Sequence, residues 1–411
     1  MNSIYNSLLA EADKIKIIDT HEHLQPHKNY LGGAPDVLCD YFSHYITTDL
    51  VSAGMTYKEI DLVRNHPERD VEERYKLLEP YLGRVRNSAY FRSLERAADM
   101  VHGIKSIDGN TIAEFNEKFK AAASDENYRN HVMKGICNID VSLNDGWLDD
   151  MNEAKTELFA PVWRPDGYAH GHVRPEQPTL EEYLENYRKN FTRNVEGGLA
   201  ALKIGLAYDR PIYFEDVDYK TAAGIYKKYR DDEDTAEFPT PLQDHIIHYA
   251  LKCAEEAGIT VQIHTGLQEG MENNLKNSDP MLLRNLFRKF TDLTFDVFHM
   301  GYPYERELIT QVKTHANVNI DMCWANLISP GASRAAFAEM LDVIPYTKIC
   351  AFGGDYLFYD GVAGHVSIAK ENICTVLADK ITSREMKEDF ALRILQAVFR
   401  ENPIRIFRLN R

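Results

Sequence analysis

Ile15-Lys16-Ile17-Ile18-Asp19-Thr20-His21-Glu22-His23 reads as a short buried strand that ends in chemistry. Side chains two apart on an extended chain point the same way. At the strand's C-terminal end, His21 and His23 can therefore grip one metal ion together. Four later β-rich runs also end in a ligand-type or base-type residue: Lys203, His264, His299 and Asp355. Polar groups at successive strand ends are how a metal site is assembled on the top face of a (β/α)8 barrel.

Eight such runs are present, taken as strands over Ile15–Asp19, Lys134–Val141, Leu158–Trp163, Leu199–Gly205, Thr260–His264, Thr294–His299, Val318–Cys323 and Lys348–Phe352. Helical patterns lie between most of them: Thr179–Val195, Pro241–Ala257, Pro280–Phe290, Tyr304–His315 and Gly331–Leu341. Two more follow the last strand, Gly364–Leu377 and Ser383–Phe399. Strand alternating with helix argues for parallel βαβ units. The expected fold is α/β, a TIM barrel forming a single domain over 1–411. A stretch of about 24–131, too long for an unstructured loop, is expected as a helical lid inserted after strand one. A smaller insertion, Ala207–Thr240, carries the acidic run Asp231-Asp232-Glu233-Asp234, read as a solvated loop.

Composition narrows the classes of partner. Lys and Arg total 47 against 63 Asp and Glu, a net charge of −16, which argues against nucleic acid. No window approaches 18 uninterrupted apolar residues, so a membrane span is not expected. The first residues lack a basic start followed by an apolar run, so no signal peptide is expected and the cytoplasm is the default location. The six cysteines are scattered without a C-x-x-C pair, and four in apolar segments (Cys137, Cys253, Cys323, Cys350) read as buried thiols. The expected partner is a small-molecule substrate; a homo-oligomer is a base-rate expectation only. No G-x-S-x-G elbow, Walker motif or post-strand G-x-G-x-x-G appears.

His21, His23 and His264 are the candidate imidazole ligands, and neutral imidazole suits a borderline divalent ion such as zinc. Asp19 and Glu22 stand where they can orient those ligands. His299 is suited either to a second metal or to acid–base catalysis beside one. Gly353-Gly354 lets the chain turn and expose Asp355, a carboxylate able to touch a metal and take a proton from water. Lys203 has three readings: a carboxylated bridge between two metals, a partner for a substrate carboxylate, or a side chain that snorkels to the surface. Arg164 and Arg334 are candidate forks for a substrate carboxylate, or else ordinary salt bridges. Trp324 is a candidate apolar wall. A second His-x-His, His170 and His172, lies in a loop and reads as rim.

Together these segments resemble the amidohydrolase superfamily, in its amidohydrolase-related branch near the uronate isomerases. Asp19-Thr20-His21-Glu22-His23 is similar to the family's first-strand motif. Gln262-Ile263-His264-Thr265-Gly266 is similar to the fifth, Phe298-His299-Met300-Gly301 to the sixth, and Phe352-Gly353-Gly354-Asp355 to the eighth. The resemblance implies that His21, His23, His264 and Asp355 bind metal. It also implies that His299 is a second-metal ligand or a catalyst, and that Lys203 stands where binuclear members carry a carboxylated lysine. The long first insertion and Trp324 are similar to the uronate isomerases, whereas Leu267-Gln268-Glu269-Gly270 lacks the arginine expected there in that family.

The expected activity is metal-dependent hydrolysis, with one or two divalent ions, zinc before manganese. Water would attack an amide, ester or lactone of a small, carboxylate-bearing molecule. A metal-dependent decarboxylase or uronate isomerase is the first rival. A non-enzymatic binding protein on a barrel scaffold is the second.

Overall fold

The computed structural model describes residues 2–24, 36–145, 155–172, 177–230, 237–271 and 273–410. Eight parallel strands follow one another in chain order: β1 (Ile17–Glu22), β2 (Ile139–Asn144), β3 (Phe159–Trp163), β4 (Ala201–Ile204), β5 (Thr260–Ile263), β6 (Phe295–Val297), β7 (Val318–Asp321) and β8 (Ile349–Cys350). Main-chain bonds just beyond β8 bring the last strand against the first: Thr20 N donates to Phe352 O at 3.1 Å, Asp355 N to His21 O at 2.8 Å and His23 N to Tyr356 O at 3.1 Å. This is the expected TIM barrel. Ile17, Ile18, Val261, Ile263, Val297, Ile320 and Ile349 are fully buried, as the β-branched content of a parallel sheet covered by helices requires.

Strand two differs from the sequence expectation. His131–Ile136 forms a π-helical turn, and the strand begins only at Ile139. Asn138 lies between them at φ +56°. Its Nδ2 donates to Asp13 O and Ile15 O, and its carbonyl accepts from Ile17 N at 2.9 Å. A side-chain amide tying down the neighbouring strand tolerates this left-handed backbone and breaks the apolar run. The expected helix Pro280–Phe290 is likewise split, into a 3₁₀ turn (Pro280–Leu283) and a short helix (Arg284–Lys289). The expected Gly364–Leu377 is longer, at Tyr359–Thr382, and Ser383–Phe399 begins only at Glu388, but most other helices match closely. Leu180–Glu196 starts at a capping box between Thr179 and Glu182, and Thr240–Ala257 stops at Gly258 with φ +68°.

The described part of the first insertion is helical, with Val37–Tyr41, Ile46–Ser52, Tyr57–Arg64, Val71–Val85, Ala89–His102 and Ile112–Ala123. Residues 25–35, at its start, lie outside the described residues, as does the acidic run at 231–234. Among the described residues, no helix is long and apolar enough to cross a membrane.

Candidate metal centre

The strand ends bring their polar side chains to one place. His21 Nε2 and His23 Nε2 each lie 3.3 Å from Asp355 Oδ1, and His299 Nε2 lies 3.8 Å from Asp355 Oδ2. Lys203 Nζ is 3.1 Å from His21 Nε2, and His299 Nε2 is 3.3 Å from His264 Nδ1. Asp355 sits at φ +55°, next to a glycine that the closure demands: a Cβ at 354 would collide with the Glu22 carboxylate. Asp19 Oδ1 accepts from Gly354 N at 2.9 Å, and Glu22 Oε2 accepts from Tyr356 N at 2.9 Å. The two acids beside the first-strand histidines thus hold the β8 turn, which in turn presents Asp355.

The electrostatics suit a cation. Burial lowers His21 and His264 well below the ordinary imidazole value and His299 to about 3. All three are therefore neutral, with lone pairs to offer. Burial alone would raise the Asp355 carboxyl, but His21, His23 and His299 around it hold it well below the usual range. Burial, with Arg164 as the largest neighbouring charge, brings Lys203 down to about 8. The lysine is 1% exposed and its amine stands 4.1 Å from the Phe298 ring centre, so the snorkelling reading is ruled out. His21, His23 and Asp355 bring three ligand atoms within 4.8 Å of one another. Two nitrogens and a carboxylate oxygen in that span fit a borderline divalent ion.

Other expected residues fall differently. Arg164 Nε and Nη2 lie 2.6 Å and 2.5 Å from Asp145 Oδ2, and Asp145 O accepts from His23 Nδ1 at 3.0 Å. Burial would raise the Asp145 carboxyl, but Arg164 holds it at about 2. Arg164 therefore reaches the centre through His23's partner. Arg334 Nη1 donates to Asn372 Oδ1 at 3.1 Å, in the helix Tyr359–Thr382 of the outer layer, and is not brought into the cluster. His170 pairs with Asp209 and Glu237.

Trp324 joins the barrel to the insertion. Its ring stacks on Tyr45 (5.0 Å) and Tyr90 (5.6 Å), and Nε1 donates to Tyr90 Oη at 2.9 Å. His44 packs on the same indole at 4.8 Å. Burial lowers His44 to about 4, and Asp355 and His23 are the next influences on it. His44 and Tyr45 carried no weight in the sequence analysis, because nothing in their spacing ties them to a strand end; Cys323, which closes the run taken as strand seven, read only as a buried thiol.

Beneath the ligands lies a layer of carboxyls, Asp19, Glu22, Asp296 and Asp321, all fully buried. Burial raises each of them, Asp19 to about 6 and Asp321 to about 7, and Asp19 and Glu22, like Asp296 and Asp321, are neighbouring acids that influence one another. A carboxyl raised in the folded state contributes stability at low pH that is lost as pH rises through its folded value. For Asp321 that window runs from the ordinary 3.8 to about 7. Asp296→Asn, which supplies an amide donor to Asp321, is expected to stabilise the fold at pH 8 by about 1–4 kcal/mol and to do little at acid pH. Denaturant titrations at both pH values check this; an equal or lower stability at pH 8 contradicts it.

A family model described as Amidohydrolase matches residues 215–409, the half of the barrel that carries His264, His299 and Asp355. Over that stretch the chain is similar to the amidohydrolase superfamily. That likeness supports an enzyme and implies a divalent metal. Protein fluG of Emericella nidulans is 21% identical over 243 residues, which take in 55% of this chain and only 28% of that protein. Glucuronate isomerase from Caulobacter crescentus shares the fold at a TM-score of 0.80 and 15% identity, over 100% of this chain and 94% of that one. A uronate isomerase from Thermotoga maritima does so at 0.79 and 15%, over 99% and 98%. A Lactobacillus casei protein described as a metal-dependent hydrolase gives 0.68 and 16%, over 98% and 97%.

Proposed function

We propose that this protein is a metal-dependent hydrolase acting on an amide, ester or lactone bond of a small molecule. The observation that carries the reading is the approach of Lys203, with its depressed amine, to His21 in a site that also gathers His23, His264, His299 and Asp355. That is a ligand set large enough for two ions. Zinc, or failing that manganese, would be held by His21, His23 and Asp355, with His264, His299 and a carboxylated Lys203 for a second ion. When bound, the ion supplies Lewis acidity and lowers the pKa of water to about 7.

The chain's own groups then divide the work. Asp355 accepts the proton of the attacking water, at the oxygen that faces His299, while its other oxygen faces His21 and His23. If only one ion is bound, the His299 imidazole is available to hydrogen-bond the developing oxyanion. Asp355 returns the proton to the leaving nitrogen or oxygen. The insertion, resting on Trp324 through Tyr45 and Tyr90, acts as a lid that excludes bulk water and selects the substrate. Arg164 is committed to Asp145 and orients His23 rather than taking the substrate's carboxylate.

Elemental analysis of the purified protein, beside a His21→Ala, His23→Ala double variant, tests the centre. About one or two equivalents of metal, lost in the variant, are expected. Turnover of N-acyl amino acids or lactones, set against hexuronates, tests the reaction. Failure to take up added zinc or manganese overturns the metal reading; turnover of hexuronates alone overturns hydrolysis.

A further inference from the structure

A second triplet of donor atoms overlaps the first. His299, Cys323 and Asp355 bring a ring nitrogen, a thiol sulfur and a carboxylate oxygen within 4.8 Å of one another. All three residues have left-handed backbones, at φ +60°, +38° and +55°, which side chains other than glycine rarely adopt without a compensating role. The structure enforces the Cys323 conformation: Asp321 Oδ1 accepts from Cys323 N at 2.9 Å, and Met322 N donates to Cys350 O at 2.9 Å. Space is kept for the sulfur as well. A Cβ at Gly353 would lie 2.8 Å from Cys323 Sγ and 2.8 Å from Thr20 Oγ1. His299, fully buried, keeps Nδ1 without a hydrogen-bond partner among the described residues, while its Nε2 faces Asp355 and His264.

We propose that Cys323 is a thiolate ligand of the metal centre on its His299 side, so that the centre selects zinc or cobalt over manganese and magnesium. The inference rests on the metal-dependent reading above. A soft sulfur donor beside imidazole and carboxylate favours a borderline ion over hard ones that prefer oxygen. Binding replaces the S–H bond with a sulfur–metal bond and releases one proton to solvent.

Reconstitution with cobalt(II) provides a readout independent of turnover. The wild-type protein is expected to show visible ligand-field bands together with an intense near-ultraviolet thiolate-to-cobalt band. The thiolate band should disappear in Cys323→Ser and persist in Cys350→Ser. Cys350 is the necessary control because it sits with Asp296 and Asp321 in a third cluster of ligand types. X-ray absorption of zinc-loaded wild-type protein, which needs no variant and so decides the matter even if Cys323→Ser misfolds, should show one sulfur at about 2.3 Å. Ligand-field bands without the thiolate band overturn the thiolate ligand and leave the metal centre standing. So does a thiolate band that survives Cys323→Ser or vanishes in Cys350→Ser, or a zinc shell without sulfur. No uptake of cobalt or zinc overturns both.

Discussion

Asp355→Asn is expected to lower kcat by about a thousandfold or more while leaving the fold intact. The replacement is nearly isosteric, asparagine tolerates the φ of +55°, and the main-chain bond from residue 355 to His21 O does not involve the side chain. What disappears is a negative charge that three histidines surround at 3.3–3.8 Å and a base that stays ionised across the neutral range because those histidines hold it low. Metal analysis separates the two roles. A protein that keeps its metal but loses kcat identifies Asp355 as the base; one that loses the metal identifies it as an essential ligand. Activity within tenfold of wild type would show that neither role belongs to Asp355.

Two features support the proposed hydrolytic reading, although the fold likeness includes sugar-acid isomerases. First, the lysine at the end of β4 is buried against a first-strand histidine, with an amine near 8, where a free amine can take up carbon dioxide and become a carboxylate ligand. Second, Arg164, a candidate fork for a substrate carboxylate in the sequence expectation, lies against Asp145. Lys203→Met is accordingly expected to remove one metal equivalent if two are bound, with the His21–His23–Asp355 ion retained. Elemental analysis checks this, and unchanged stoichiometry at two ions would exclude the bridging role.

The barrel and the gathering of strand-end side chains were legible in the sequence because both follow local periodicities. A strand of period two ending at the top face carries its last inward residues into the site, so His21, His264, His299 and Asp355 could be read one motif at a time. Legibility ended where a contact joins distant segments. Trp324 was visible as a candidate wall, but Tyr45 and Tyr90, which stack on it, lie in an insertion with no register to the barrel. Cys323 read as an ordinary buried thiol, since the left-handed turn that aims it at His299 and Asp355 depends on Asp321 capping its N–H. Arg334 follows strand seven, as a substrate fork should, yet the orientation of its helix directs it to Asn372. No sequence spacing sets that rotation. Strand two was misplaced because Asn138, rather than the apolar pattern, decides where the chain straightens.

Asp360→Ala is expected to destabilise the protein by about 3–5 kcal/mol and to loosen the insertion before the barrel. Asp360 lies in the first turn of the helix Tyr359–Thr382 and is fully buried. It accepts from Tyr41 Oη at 2.8 Å, from His102 Nε2 at 2.6 Å and from Tyr128 Oη. All three donors belong to the first insertion, so one carboxylate on a barrel helix ties down three of its segments. Removing it takes one acceptor away from three buried donors, each loss costing about 1–3 kcal/mol. Asp360→Asn keeps one acceptor oxygen and should cost less. Because the loss falls on the contact between insertion and barrel, hydrogen exchange should accelerate first in Val37–Tyr41 and Ala89–His102 and last in β5 and β6. Uniform acceleration would instead show that insertion and barrel unfold as one unit. If Asp360→Ala leaves both stability and exchange unchanged, the buried carboxylate does not hold the insertion, and the aromatic stack on Trp324 must do so alone.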